Sequence, residues 1–136
     1  MWIDKTTNAS YNFIAPTLEG NSDQTVEVPF PVPGKSVIAT IAAGKAKVTV
    51  NSPFTFVDLG TTTGATEVEI EVEENVQPGA MVTVQVKGTA TEQVSYKDGG
   101  AVMAPAFANV AGKTKVQTLV YSGSVFVPVG VAFQID

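Results

Sequence analysis

The sequence predicts an all-β fold, a single antiparallel β-sandwich with an N-terminal arm. About nine short segments rich in Val and Thr recur at spacings of roughly 8 to 12 residues, divided by Gly, Pro, Asn and Ser. No segment carries the apolar period of a helix. The third observation is Glu67-Val68-Glu69-Ile70-Glu71-Val72-Glu73, where Val68, Ile70 and Val72 fall on one face and the glutamates on the other. That period of two marks a half-buried strand of an antiparallel sheet. A jelly-roll and an immunoglobulin-like Greek key both accommodate such a strand count.

Residues 1–24 differ from the rest. Two polar stretches, Asp4–Ser10 and Glu19–Asp23, surround a short apolar patch from Tyr11 to Ala15, and Trp2 stands at the extreme end. Chain termini are usually mobile, so an aromatic there is expected to dock, either on its own domain or on a neighbour. The β-domain is expected over 25–136. Thr25–Val28 alternates and stops at the rigid elbow Pro29-Phe30-Pro31-Val32-Pro33-Gly34. Ser36–Ala42 and Ala46–Val50 are expected to pair as a hairpin around Ala43-Gly44-Lys45, with Pro53–Leu59 as the next strand and Gly60–Gly64 as a Thr-rich loop. Asn75-Val76-Gln77-Pro78-Gly79 places Pro and Gly as a type II turn prefers, so 66–74 and 81–88 are expected to pair. Gln93–Lys97 is a shorter strand.

Ala101–Ala111 is apolar without a pattern and reads as a covered loop. Thr114–Tyr121 and Ser124–Ile135 should form a closing hairpin around Ser122-Gly123. Phe126, Val127, Val129, Val131, Ala132 and Phe133 do not alternate, so both faces of that strand are expected to be buried. Pro128 lacks a ladder donor and belongs at an edge or a bulge.

Composition narrows function by what it removes. The 136 residues include no His, no Cys and no Arg; all eight basic residues are lysines. No Ser–His, Cys–His or zinc arrangement can be assembled, and no catalytic residue, metal or cofactor is expected. The net charge of −5 disfavours nucleic acid, whose binding rests on clustered cations. No run approaches the roughly 18 apolar residues of a membrane span, and Met1-Trp2-Ile3-Asp4-Lys5 is not a signal peptide, so synthesis in the cytoplasm is expected. Charged residues make up 15% of the chain, below the usual quarter, which points to a surface partly covered by partners or by copies of itself.

Glu67, Glu69, Glu71 and Glu73, with Glu74, are the densest functional groups. Side chains on one strand face lie about 7 Å apart and parallel, unlike the converging oxygens of a calcium cage. A solvated face relieved by Lys45, Lys47, Lys113 or Lys115 is the simpler expectation. Gly34-Lys35-Ser36 lacks the upstream glycine and the helix of a phosphate loop. Tyr11, Phe13, Tyr96, Tyr121 and Phe126 are expected in a core, or, as exposed rings, on a glycan-stacking platform.

Gln77-Pro78-Gly79-Ala80-Met81-Val82-Thr83-Val84-Gln85-Val86-Lys87-Gly88 is followed by Ala111-Gly112-Lys113-Thr114-Lys115-Val116-Gln117-Thr118-Leu119-Val120-Tyr121-Ser122-Gly123-Ser124-Val125-Phe126. Together these stretches resemble β-domains of bacteriophage fibres and other virion proteins, over roughly residues 77–133. Phe126 stands where those domains usually carry tryptophan. The resemblance implies a structural protein of a phage particle, a fibre or capsid-decoration subunit, trimeric or otherwise oligomeric, bound to other virion proteins; a glycan receptor is a further expected partner. On this expectation the oligomer interface comprises Trp2 and the strand residues Val125, Val127, Val129, Val131 and Phe133. The alternative is a carbohydrate-binding or adhesion-like module. Without arginine no bidentate ion-pair fork is available, so assembly must rest on apolar packing and backbone hydrogen bonds.

Overall fold

The computed structural model describes residues 34–136. Trp2, the arm over 1–24 and the boundary after it, the Thr25–Val28 strand, and Tyr11 and Phe13 lie outside the described residues.

Among the described residues ten strands form two sheets: β1 (Gly34–Ile38), β2 (Lys45–Val50), β3 (Phe54–Thr62), β4 (Thr66–Val72), β5 (Met81–Gly88), β6 (Gln93–Tyr96), β7 (Phe107–Ala108), β8 (Thr114–Tyr121), β9 (Phe126–Pro128) and β10 (Phe133–Gln134). The larger sheet runs β1-β3-β5-β8-β10, with β9 also on β8; the smaller runs β2-β4-β6-β7. The described residues are all-β, as the period-2 segments require. Among the described residues no helix is long and apolar enough to cross a membrane.

Pairing is mixed rather than antiparallel throughout. From β1 to β6 successive strands alternate between the sheets, and each lies parallel to the strand two before it. A parallel pair needs a long crossover, and here a strand of the opposite sheet supplies it. Neither hairpin expected in this region forms. The strand Ser36–Ala42 was expected beside Ala46–Val50, but β1 pairs with β3 and β2 with β4. Strand β4 likewise lies in the smaller sheet and β5 in the larger. The antiparallel jelly-roll and Greek-key connections are therefore absent from β1–β6.

The turns at 42–45 and 77–80 were placed correctly, but they act as corners; the expected Gly60–Gly64 loop is shorter, because β3 runs on to Thr62. Lys45 N–H donates to the Ala42 carbonyl at 3.0 Å, with Ala43 and Gly44 both at positive φ, and this tight turn hands the chain to the other sheet. Ala80 N–H closes on the Gln77 carbonyl with Gly79 at φ 96°, as a Pro-Gly turn demands.

The parallel winding ends when the chain reverses. Strand β7 runs antiparallel to β6, and β8 runs antiparallel to β5 over seven pairs from Met81↔Val120 to Lys87↔Thr114. The closing hairpin forms as expected, but its second strand is broken. Pro128 pairs with Leu119 and Phe133 with Val116, so residues 129–132 bulge from the ladder just after the proline. Val129, Val131 and Phe133 are 60%, 87% and 68% exposed, which corrects the expectation that this strand is buried on both faces. It lies along the rim of the larger sheet, and no described residue covers that sheet's outer side. The segment over 101–111 is only partly covered: Ala101 and Met103 bond the backbone of Phe126, Met103 stays exposed, and Phe107–Ala108 becomes β7.

Both sheets contribute to one core. Ala46, Val48 and Val50 of β2, Val68 and Ile70 of β4 and Val94 of β6 meet Val57, Leu59, Val82, Val84, Val86, Leu119 and Phe126 of the larger sheet. Burying each such aliphatic side chain contributes about 1.5–3 kcal/mol. Tyr96 reaches across it, its hydroxyl donating to Gln117 Oε1 at 2.7 Å, and burial pushes the phenol well above its ordinary pKa.

One end of the core is closed by a polar knot. Asn109 Nδ2 donates to Thr62 Oγ1 at 2.9 Å, and Thr62 Oγ1 donates to Glu92 Oε2 at 2.7 Å. The Glu92 carboxylate also accepts from the backbone N–H of Thr89 and Ala90. These donors, Thr62 first, hold its pKa down to about 2. Gly88 passes beneath this knot because only a residue without Cβ fits: a Cβ there would stand 2.4 Å from that of Asn109.

Candidate interaction surface

The two sheets present outer faces of opposite chemistry. On the smaller sheet the parallel register sets Lys45 opposite Glu67, Lys47 opposite Glu69 and Thr49 opposite Glu71. Lys45 Nζ reaches Glu67 at 2.7 Å, Lys47 reaches Glu71 at 3.0 Å, and Lys97 just beyond β6 reaches Glu69 at 3.1 Å. Donating hydrogen bonds to Glu67 and Glu71 raises the pKa of Lys45 and Lys47 respectively. Two of the expected lysines thus partner the stripe, whereas Lys115 bonds the Ala108 carbonyl instead. Such exposed pairs are worth little in stability, about 0–1 kcal/mol each. Their effect is to keep the face wet. Among the described residues no group of three acidic side chains is placed to hold a metal ion.

The outer face of the larger sheet is built from residues distant in sequence. Paired residues point to the same side, so the register reads off three rows. The first is Phe54, Met81, Val120 and Val127. The second runs Ser36, Phe56, Thr83 and Thr118, and the third Ile38, Asp58, Gln85, Val116 and Phe133. Phe54 is 48% exposed, Phe56 37% and Ile38 84%. A shallow groove crosses this face, lined by Lys35 and Ser36, Phe54 and Phe56, Met81, Thr83 and Thr118. At its centre the Thr83 and Thr118 hydroxyls share a hydrogen bond at 3.2 Å. Asp58 accepts from the Gly60 N–H at 2.8 Å.

Of the residues expected at an interface, Val127 and Phe133 belong to these rows, and Val129 and Val131 are exposed beside them. Val125 does not. It is half-buried and lines a separate cavity with Tyr96, Gly99 and Met103. Trp2 lies outside the described residues. Ile38, Phe54, Phe56, Met81 and Val120 were not anticipated, because the sequence carries no signal of which face of Phe54-Thr55-Phe56-Val57 is covered. Only its register beside β5 separates Thr55 and Val57, which point inward, from the two phenylalanines.

The described members of the aromatic set form no platform. Phe126 is fully buried, Tyr96 nearly so, and Tyr121 stacks on Phe126 with ring centres 4.9 Å apart. No protein-family model, curated protein or solved structure matches this chain.

Proposed function

We propose that this protein is a non-enzymatic structural subunit of a phage particle, a fibre or capsid-decoration component that acts as an oligomer through apolar packing. The observation that carries the reading is the outer face of the larger sheet, where Phe54, Phe56, Met81, Val120, Val127 and Phe133 stand together without a charge ladder. Monomers rarely expose apolar patches of this extent, and such patches mark interaction sites. The chain has no His, Cys or Arg for acid–base or nucleophilic chemistry, which favours a structural role. The phage assignment rests on the sequence resemblance. Its two stretches fall on β5 and β8, which pair along seven residues and so form one structural unit. As architecture we propose a two-layer sandwich whose layers are wound together by the alternation of β1–β6. In this reading the protein is made in the host cytoplasm and carried on the virion.

Light scattering on the purified chain at micromolar concentration tests it. A multiple of the 14.2 kDa chain mass is expected, and a monomer would contradict it. A carbohydrate-binding module is the second reading, favoured by Phe54 and Phe56 beside the hydroxyls of Ser36 and Thr83. Glycan-array binding abolished by Phe56→Ala would support that reading instead.

A further inference from the structure

We infer that the outer face of the larger sheet docks face to face on the same face of a second copy, related by a two-fold axis along β5. The inference rests on the assembling reading above and specifies its contact. Three features of the face select a copy of itself.

The first is charge. The three rows hold a single ionisable group, Asp58, and its carboxylate already caps its own Gly60 N–H. Lys35 at the β1 edge of the groove and Lys87 farther along β5 place charge only at the margin, so the centre of the face suits an apolar occupant. The second is dehydration. The Thr83 and Thr118 hydroxyls share one hydrogen bond, so dehydrating the centre of the face strands one hydroxyl donor there instead of two.

The third is shape. Column β3 carries the bulky Phe54 and Phe56, column β8 the smaller Val116, Thr118 and Val120, and β5 runs between them. Rotation by half a turn about β5 lays the aromatic column of each copy over the aliphatic column of the other. Ridge then meets valley twice, which is the self-complementarity an isologous contact requires.

The area suffices. Five strand positions at about 4.8 Å and six or seven residues at about 3.3 Å give on the order of 500 Å² of projected face. Side-chain relief and the exposed 129–135 rim add to it. A pair therefore approaches the roughly 1,200 Å² at which stable interfaces begin.

The chain has no native cysteine, so single cysteines report proximity without background. Thr83 sits on the axis at the centre of the face, and Thr49 lies on the outer face of the smaller sheet. The full chain carrying Thr83→Cys or Thr49→Cys is treated with a short bismaleimide and its mass read by denaturing electrophoresis. Sedimentation velocity is run on the untreated wild type and on Val120→Lys, with circular dichroism confirming the fold. Thr83→Cys is expected to give a two-chain product, Thr49→Cys none, and Val120→Lys to weaken association at least about 1,000-fold, since the lysine is buried twice per pair. An oligomer that cross-links equally through Thr49, or not through Thr83, overturns the face-to-face pair and leaves the structural-subunit reading standing. A wild type that sediments as a monomer overturns both. If Val120→Lys unfolds, the cross-links alone decide.

Discussion

Replacing Gly88 with alanine tests how closely the chain packs where the larger sheet passes under the polar knot. The new Cβ would lie 2.4 Å from Asn109 Cβ, 3.0 Å from its Cγ and 3.1 Å from the Ala90 carbonyl oxygen. Carbon atoms in contact sit at about 3.5–4.0 Å, so Asn109 must retreat by about 1 Å. It has little freedom to do so. Asn109 is 2% exposed, its N–H donates to the Glu92 carbonyl at 2.9 Å, and its Nδ2 donates to Thr62. Gly88 is equally tied, donating to the Lys113 carbonyl and accepting from the Gly112 N–H. Overpacking costs about 1–3 kcal/mol and one weakened buried hydrogen bond about 1 more. A loss of about 2–4 kcal/mol follows, a fall in Tm of roughly 7–14 °C for a chain of this size. Urea unfolding followed by circular dichroism measures it. The cause is isolated by Asn109→Gly, which removes the obstructing Cβ. In that background Gly88→Ala should cost at least about 1 kcal/mol less. Additive effects of the two substitutions would refute the steric account.

Three further outcomes follow from particular contacts. Ala43, at φ 52° beside Gly44, occupies a position of a two-residue turn that favours Asn, so Ala43→Asn should stabilise by about 0.5–1 kcal/mol, read as a rise in Tm. Tyr96→Phe strands Gln117 Oε1 inside the core and should cost about 1–3 kcal/mol in urea unfolding. Glu92 has its pKa held at about 2, below the ordinary 4.5, so its contribution is fully present above pH 4.5 and lost as pH falls towards 2. The stability gap between wild type and Glu92→Gln should therefore be constant near neutrality and close across that acid window.

The strands were legible in the sequence, but their neighbours were not. The alternation over 67–73 does mark Val68 and Ile70 as buried, and Pro78-Gly79 does mark a turn. A period of two states which face is buried. It carries no information on whether the next strand lies beside that face's strand or across the core from it. The Ala42–Lys45 turn shows why: its dihedral angles and hydrogen bonds are those of a hairpin, yet it delivers β2 to the opposite sheet. The closing hairpin was legible because β8 and the β9–β10 rim do return on one another. Its exposed side was not, because an apolar run without alternation looks the same whether a described neighbour or an absent partner covers it. The outer apolar face was hidden for a related reason. Its rows draw on β1, β3, β5, β8 and the rim, and only the register assembles them.

The ion pairs of the smaller sheet and the apolar rows of the larger sheet predict opposite responses to salt, and assembly through the latter is the central claim. Sedimentation equilibrium of the wild-type chain at about 0.1 M and about 1 M NaCl separates them, because screening at the higher concentration shortens the reach of charge to about 3 Å. Association through Phe54, Phe56, Met81, Val120 and Val127 should keep its dissociation constant within about threefold or tighten. A tenfold or greater weakening in high salt, or a monomer at both concentrations, would contradict it.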